Sequence, residues 1–110
     1  TDNLISIEEF QKLDICVGEV LECERVEKSE KLLKFLIDLG EEKPRQILSG
    51  IAKFYEPQNL IGKQVCVVAN LKPAKIMGLL SEGMILSCGD ESGLSLLGIE
   101  SVRKNGSKIS

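Results

Sequence analysis

DICVGEVLECERV, residues 14–26, is long for a strand, and its apolar alternation does not stay in phase. Ile15 and Val17 share a face, Gly18 follows, and Val20 and Leu21 then stand side by side. Side chains along a strand repeat every second residue, so an apolar set that slips by one must change face or bulge. A glycine in mid-strand is where a chain bends sharply or admits a close neighbour. The stretch therefore predicts one long, bent strand that serves both halves of a small barrel.

The flanking sequence supplies the rest of such a barrel. Residues 32–39 read as the second strand, ending at Gly40; residues 46–49 belong to a third, and 64–70, with the apolar run VCVVA, to a fourth. Residues 83–88 give a fifth, and 94–97 a short extra one. Between the third and fourth, EPQNLIG (56–62) puts a proline at a helix start and a glycine just past its end. Five strands with one helix between the third and fourth is the strand order of the OB-fold barrel. The expected class is all-β with short helices: an OB-fold five-stranded barrel with a short N-terminal helix and an extra C-terminal strand. That helix is signalled by Ser6-Ile7-Glu8-Glu9, a capping box with Ser6 as N-cap, and by Ile5 and Phe10 at staple spacing. Lys12 would sit in its last turn, and the helix is expected to lie as a lid on the body.

Length and composition bound the function. The 110 residues form one domain, 1–110, with 43% hydrophobic content, enough for a folded core. No apolar run approaches the roughly 20 residues of a membrane span, and no leader-like segment is visible. Four cysteines stand at 16, 23, 66 and 88 without a CxxC pair, and there is no histidine. Reduced, inert thiols in a cytoplasmic protein are the simplest account, with Cys23 the one expected to react quickly. No metal and no cofactor are expected. Thr1 in place of an initiator methionine suggests a fragment of a longer polypeptide.

Charge is segregated along the chain. Residues 43–76 carry six bases (Lys43, Arg45, Lys53, Lys63, Lys72, Lys75) against the single acid Glu56, whereas the whole chain has a net charge of −3. A local basic field on an acidic protein attracts a polyanion without making the whole chain sticky; it is also compatible with an ordinary solvated face. Catalysis by this chain is not expected. The usual neutral-pH base is absent, no cysteine has a histidine partner, and no phosphate-cradling glycine loop is present. Glu19, Glu22 and Glu24 alternate along a strand as a solvated face does.

The blocks SGI (49–51), VANLKPAK (68–75) and SEGMIL (81–86), with NGSKI (105–109) closing the chain, make it resemble the tRNA-binding domain family across residues 7–109. That family includes the C-terminal domain of many bacterial methionyl-tRNA synthetases and stand-alone structure-specific tRNA-binding proteins. The resemblance implies an OB-fold core, homodimerisation and tRNA binding without catalysis. The RNA-binding residues it implies are Arg45, Ser49, Lys53, Asn70, Lys72, Lys75, Ser81 and Met84. Lys28-Ser29-Glu30-Lys31 departs from the family's usual Asn-Ala-Asp turn in the first hairpin.

Plainer roles stay open for several of these. Asn70 can be a turn former, Met84 core, and Ser49 a partner for nearby backbone. Lys72 and Lys75 flank Pro73 with no acid nearby and are the strongest candidates. Aromatics are scarce, Phe10, Phe35, Phe54 and Tyr55, with Phe35 placed as core, so only Phe54-Tyr55 could stack bases. Clustered lysines with few aromatics suit the backbone and shape of a folded RNA. The expected function is thus the tRNA-binding appendix of a bacterial methionyl-tRNA synthetase, which raises tRNA concentration at an attached catalytic domain and mediates dimerisation. A stand-alone tRNA-binding protein and a dimerisation or chaperone-like module with the same fold are the alternatives.

Overall fold

The structure, a computed structural model, describes residues 3–110. A four-residue helix, α1 (Ile7–Phe10), precedes β1 (Ile15–Arg25), β2 (Leu33–Asp38) and β3 (Arg45–Ser49). A single 3-10 turn (Pro57–Asn59) leads to β4 (Gln64–Val68). Then come β5 (Ala74–Ile76), β6 (Leu79–Ser81), β7 (Met84–Ile85), β8 (Ser87–Asp90) and β9 (Gly93–Leu96). The main sheet has the order β3-β2-β1-β4-β7, all neighbours antiparallel. With β7 as the fifth barrel strand, this is the OB arrangement expected from the pattern.

The bent first strand does what its sequence predicts. Ile15–Glu19 pair with β4, Glu19–Arg25 pair with β2, and the register slips between Val20 and Glu22. Leu21 is the extra residue and points to solvent, while Val20 is fully buried. Gly18 is needed for close approach: a Cβ there would lie 2.5 Å from Ile37 Cγ2 and 2.7 Å from Leu39 Cδ2. Around this contact the barrel fills with Val20, Leu33, Phe35, Ile37, Ile47, Leu60 and Val67, all essentially inaccessible.

Residues 106–109, beyond the last named strand, run beside the start of β1. Val17 N–H donates to Ser107 O (2.9 Å), Gly106 N–H to Val17 O (2.7 Å) and Ile109 N–H to Ile15 O (2.8 Å). Asn105 anchors this tail, donating to Glu19 Oε1 (3.0 Å) and Asp38 Oδ2 (3.2 Å) and accepting from Gln64 Nε2 (2.9 Å).

Four local expectations are corrected. Ser6 and Glu9 do form the capping box, but α1 ends at Phe10, so Lys12 lies beyond its last turn. Nor is α1 a lid: it buries no residue, and Leu4, Ile5 and Ile7 are exposed. One helical turn has too little apolar surface to dock, and polar hooks hold the segment instead, described below. The helix after β3 is one 3-10 turn, because Gly62 (φ +88°) reverses the chain into β4. The fifth strand stops at Ile85, and residues 87–96 form a separate hairpin.

The bulge at Leu21 also corrects the thiols. It rotates Cys23 into the core, where burial pushes its thiol pKa up to about 11, and Cys16 and Cys66 are likewise buried with raised pKa values. Cys88 falls on the outlying β8 and is exposed. Titration of the native protein with a thiol reagent near pH 8 is expected to show one fast thiol, lost in a Cys88→Ser variant. The other three are expected to react only on unfolding. Fast labelling of Cys23 would contradict the register slip.

Candidate nucleic-acid interface

The stretch from Ala69 to Gly83, between barrel strands β4 and β7, carries four of the eight predicted site residues, Asn70, Lys72, Lys75 and Ser81. It reads as a loop in the sequence but folds as a hairpin: Ile76 pairs with Leu79, leaving Met77 and Gly78 as a two-residue turn. Both have positive φ, +50° and +81°, the conformation of the type I′ turns that join strands tightly. Only Gly78 signals this turn in the sequence, because methionine is an unusual first residue for it. Lys75 lies on β5 opposite Leu80, and Lys72 precedes the hairpin; both are exposed.

The hairpin is docked on β3 by polar groups. Gln46 Nε2 donates to Leu80 O (2.8 Å), and Glu82 N–H donates to Gln46 O (2.8 Å). Leu48 N–H donates to the hydroxyl of Ser81 (3.0 Å), which donates in turn to Gly83 O (3.2 Å). Ser81 is the one buried polar side chain among the described residues, and it stands where the barrel closes between β3 and β7.

Other predicted contacts are also spent inside the chain. Asn70 Oδ1 accepts from Asp14 N–H (2.8 Å), and its Nδ2 donates to Lys12 O (2.6 Å). These, with Lys108 Nζ on Leu13 O (3.0 Å), are the hooks that hold the N-terminal segment. Arg45 is forked on Glu41, Nε to Oε1 and Nη2 to Oε2, both 2.8 Å, and the hydrogen-bonded carboxylate raises the guanidinium's pKa further. Its Nη1 reaches the carbonyls of Ala69 and Glu82.

What remains accessible is a smaller set. Lys53 is exposed on the loop after β3, Ser49 is half-buried at the strand's end, and Met84 is 46% exposed and so not core. Among the described residues, Lys53, Lys72 and Lys75 join no ion pair, and the local acid Glu56 is already bonded to Arg25 (3.2 Å). Of the aromatic pair, Tyr55 packs on the core and accepts Leu96 N–H at its hydroxyl (3.1 Å), so only Phe54 (52% exposed) is free to stack.

A cleft between the hairpin tip and the β1–β2 turn adds residues that the sequence did not point to: Lys28 and Arg25 line it with Met77 and Leu79, beside the acids Glu24 and Glu27, and Lys34 is there paired with Glu24 (2.7 Å). Their signal was hidden, because residues far apart in sequence meet only when the barrel closes. Among the described residues, no cluster of His, Cys, Asp and Glu could hold a metal, and no helix is long and apolar enough to cross a membrane. The arrangement is one of exposed lysines and apolar side chains on and beside a docked hairpin, suited to holding an anionic surface.

The polar seam makes a distinction that stability measurements can read. Ser81→Ala strands the buried Leu48 N–H and is expected to cost about 1–3 kcal/mol, seen as a lower urea midpoint. Ser49→Ala, which breaks no hydrogen bond among the described residues, is expected to stay within about 0.5 kcal/mol.

A model of a putative tRNA-binding domain matches residues 15–108. Methionine–tRNA ligase of Helicobacter pylori is 55% identical over 109 residues, covering 99% of this chain and 17% of the ligase. The Listeria monocytogenes ligase is 54% identical over 105 residues, 96% of this chain and 16% of that protein. The chain thus spans about a sixth of the length of these relatives. Among solved structures, a methionyl-tRNA synthetase-related protein from Pyrococcus horikoshii superimposes with a TM-score of 0.91 at 33% identity, covering 98% of this chain and 99% of that one. The chaperone CsaA from Bacillus anthracis gives 0.86 at 31% identity, with 97% and 99% covered.

Proposed function

The chain belongs to the tRNA-binding domain family, and we propose that it is a non-catalytic module, residues 1–110, that binds folded tRNA in the cytoplasm. The observation that carries this reading is the β5–β6 hairpin with its lead-in, which presents Lys72 and Lys75 exposed and outside every ion pair of the described residues. Lys53, Ser49 and Met84 extend the contact face; Arg45, Asn70 and Ser81, the other residues the resemblance implies, support it from behind. With one accessible aromatic ring, the face favours phosphates on a shaped RNA over splayed bases. The long identity to methionine–tRNA ligases supports a place as their C-terminal appendix, with aminoacylation carried out by an attached domain. The appendix would keep tRNA at high effective concentration beside it.

The whole-chain likeness to proteins of the same length supports a second reading, a module that stands alone. Binding is expected to weaken linearly with salt on a log–log plot, at roughly 0.7–0.9 per neutralised phosphate. Lys72→Glu with Lys75→Glu should weaken all tRNAs alike and flatten that slope, while Lys104→Glu with Lys108→Glu should do much less. Filter binding across a salt series checks both; a double variant that binds as tightly as the parent removes the hairpin from the interface. No binding by the parent at low salt would leave the chaperone-like reading.

We also propose that the module is a homodimer. Leu94 and Leu96 rest on the core, while Leu97 and Val102 beside them are exposed and, with Tyr55 and Ile99, line a groove along β4. Apolar surface of that kind on a small barrel suits a self-complementary contact. Sedimentation equilibrium at micromolar concentration is expected to give twice the chain mass, and Leu97→Asp the single mass. A parent at monomer mass with and without tRNA would exclude the dimer.

A further inference from the structure

The excursion that carries Lys72 and Lys75 leaves the barrel at Ala69 and returns at Glu82. Both ends bond the same side chain: Arg45 Nη1 donates to Ala69 O and to Glu82 O (3.1 Å). The same guanidinium is forked on Glu41, four residues earlier on the β2–β3 turn. A guanidinium has five N–H donors. Two are engaged by Glu41 and two by the carbonyls, which leaves one Nη2 hydrogen. Arg45 therefore cannot grip a phosphate with two hydrogen bonds without releasing the loop or the acid. Its side chain is 23% exposed, against 43% for Glu41.

We propose that Arg45 is a positioning residue for RNA binding. Held by Glu41, it closes the base of the 70–81 excursion and so sets where Lys72 and Lys75 stand. The proposal rests on the tRNA-binding reading above, and it assigns a role to Glu41, an acid that simple electrostatics would count against a polyanion site. The backbone agrees. Ala69 N–H is tied to Asp14 O (2.7 Å) and Glu82 N–H to Gln46 O (2.8 Å), so with Arg45 on the carbonyls both end residues are bonded through N–H and C=O alike.

The sign of one substitution separates the two ideas. Glu41→Gln keeps the size but cannot accept the charged fork with both oxygens. If Glu41 acts only through its charge, its loss tightens tRNA binding. If it holds the clamp, tRNA binding weakens, by roughly threefold to tenfold, the scale of one hydrogen bond, with the salt slope unchanged. Glu42→Gln, the same change of charge at a residue with no bond to Arg45, is the control and is expected not to weaken binding. Arg45→Lys, which keeps the charge but loses the fork, should match Glu41→Gln, and the double variant should be no weaker than either.

Amide exchange in free protein gives a readout without RNA: residues 70–82 should exchange faster in Glu41→Gln and Arg45→Lys than in Glu42→Gln. Tighter binding by Glu41→Gln, or a salt slope reduced by about 0.7–0.9 in Arg45→Gln with loop protection unchanged, would make Arg45 a direct phosphate contact and overturn the proposal. A parent that binds no tRNA overturns the RNA-positioning role, while the exchange data still show whether the clamp itself exists.

Discussion

Everything in this barrel is arranged around the missing side chain at Gly18. There β1 passes so close to Ile37 and Leu39 that not even a methyl group fits. The close approach lets one strand leave β4 and join β2 within a few residues, and the bulge at Leu21 then restores the apolar face to the interior. A bulky residue at position 18 would push the strand off the core and uncouple the two halves of the sheet, since packed interiors absorb added volume poorly. The fully buried Val20, Ile37 and Val67 sit around this point because the strands cross there.

Where Gly18 admits a close apolar contact, the seam between β3 and β7 closes by polar groups. β3 and β7 do not form a regular ladder; beside one backbone bond, Glu82 N–H to Gln46 O, a serine hydroxyl, a glutamine amide and an arginine tie β3 to residues 80–82 just before β7. Such a seam is directional, because each group has few ways to be satisfied once water is excluded. It therefore anchors the hairpin that grows from it, and an anchored hairpin loses less entropy on binding than a free loop does. The lysines of the proposed contact face and the barrel closure are supplied by neighbouring residues of one segment.

The sequence was legible wherever a signal is local. The phase slip before Leu21, the capping box at Ser6 and Glu9, and Phe35 in an alternating run each declare their structure within a few residues. It was less legible where the partner is distant. Asn70 looks the same in the chain whether its amide caps a turn, meets RNA or, as here, holds Lys12 and Asp14. Ser81 looked like a surface contact because its partner Leu48 is remote in sequence. Cys23 was placed on the wrong side because a glycine advertises a bend but does not say which following residue is extra. The β5–β6 hairpin was missed because its turn places a methionine at positive φ, a conformation held by the docked strands on either side. Of the candidate site, the lysines were visible as charge, and so were Arg45 and Ser81 as residues; their partners Glu41, Glu82 and Leu48 were not.

The tail at residues 106–109 has a consequence for how the chain is made. It covers the backbone of Ile15–Val17 on the side away from β4, so that stretch of β1 has its second neighbour only when the tail is in place. During synthesis the start of β1 must wait for residues 106–109 to emerge. In the interval Ile15–Val17 is an open edge that any extended chain could occupy, including another copy of the same nascent protein. Loss of the tail by proteolysis would recreate that edge in the mature protein, so its attachment through Asn105 also guards against mispairing.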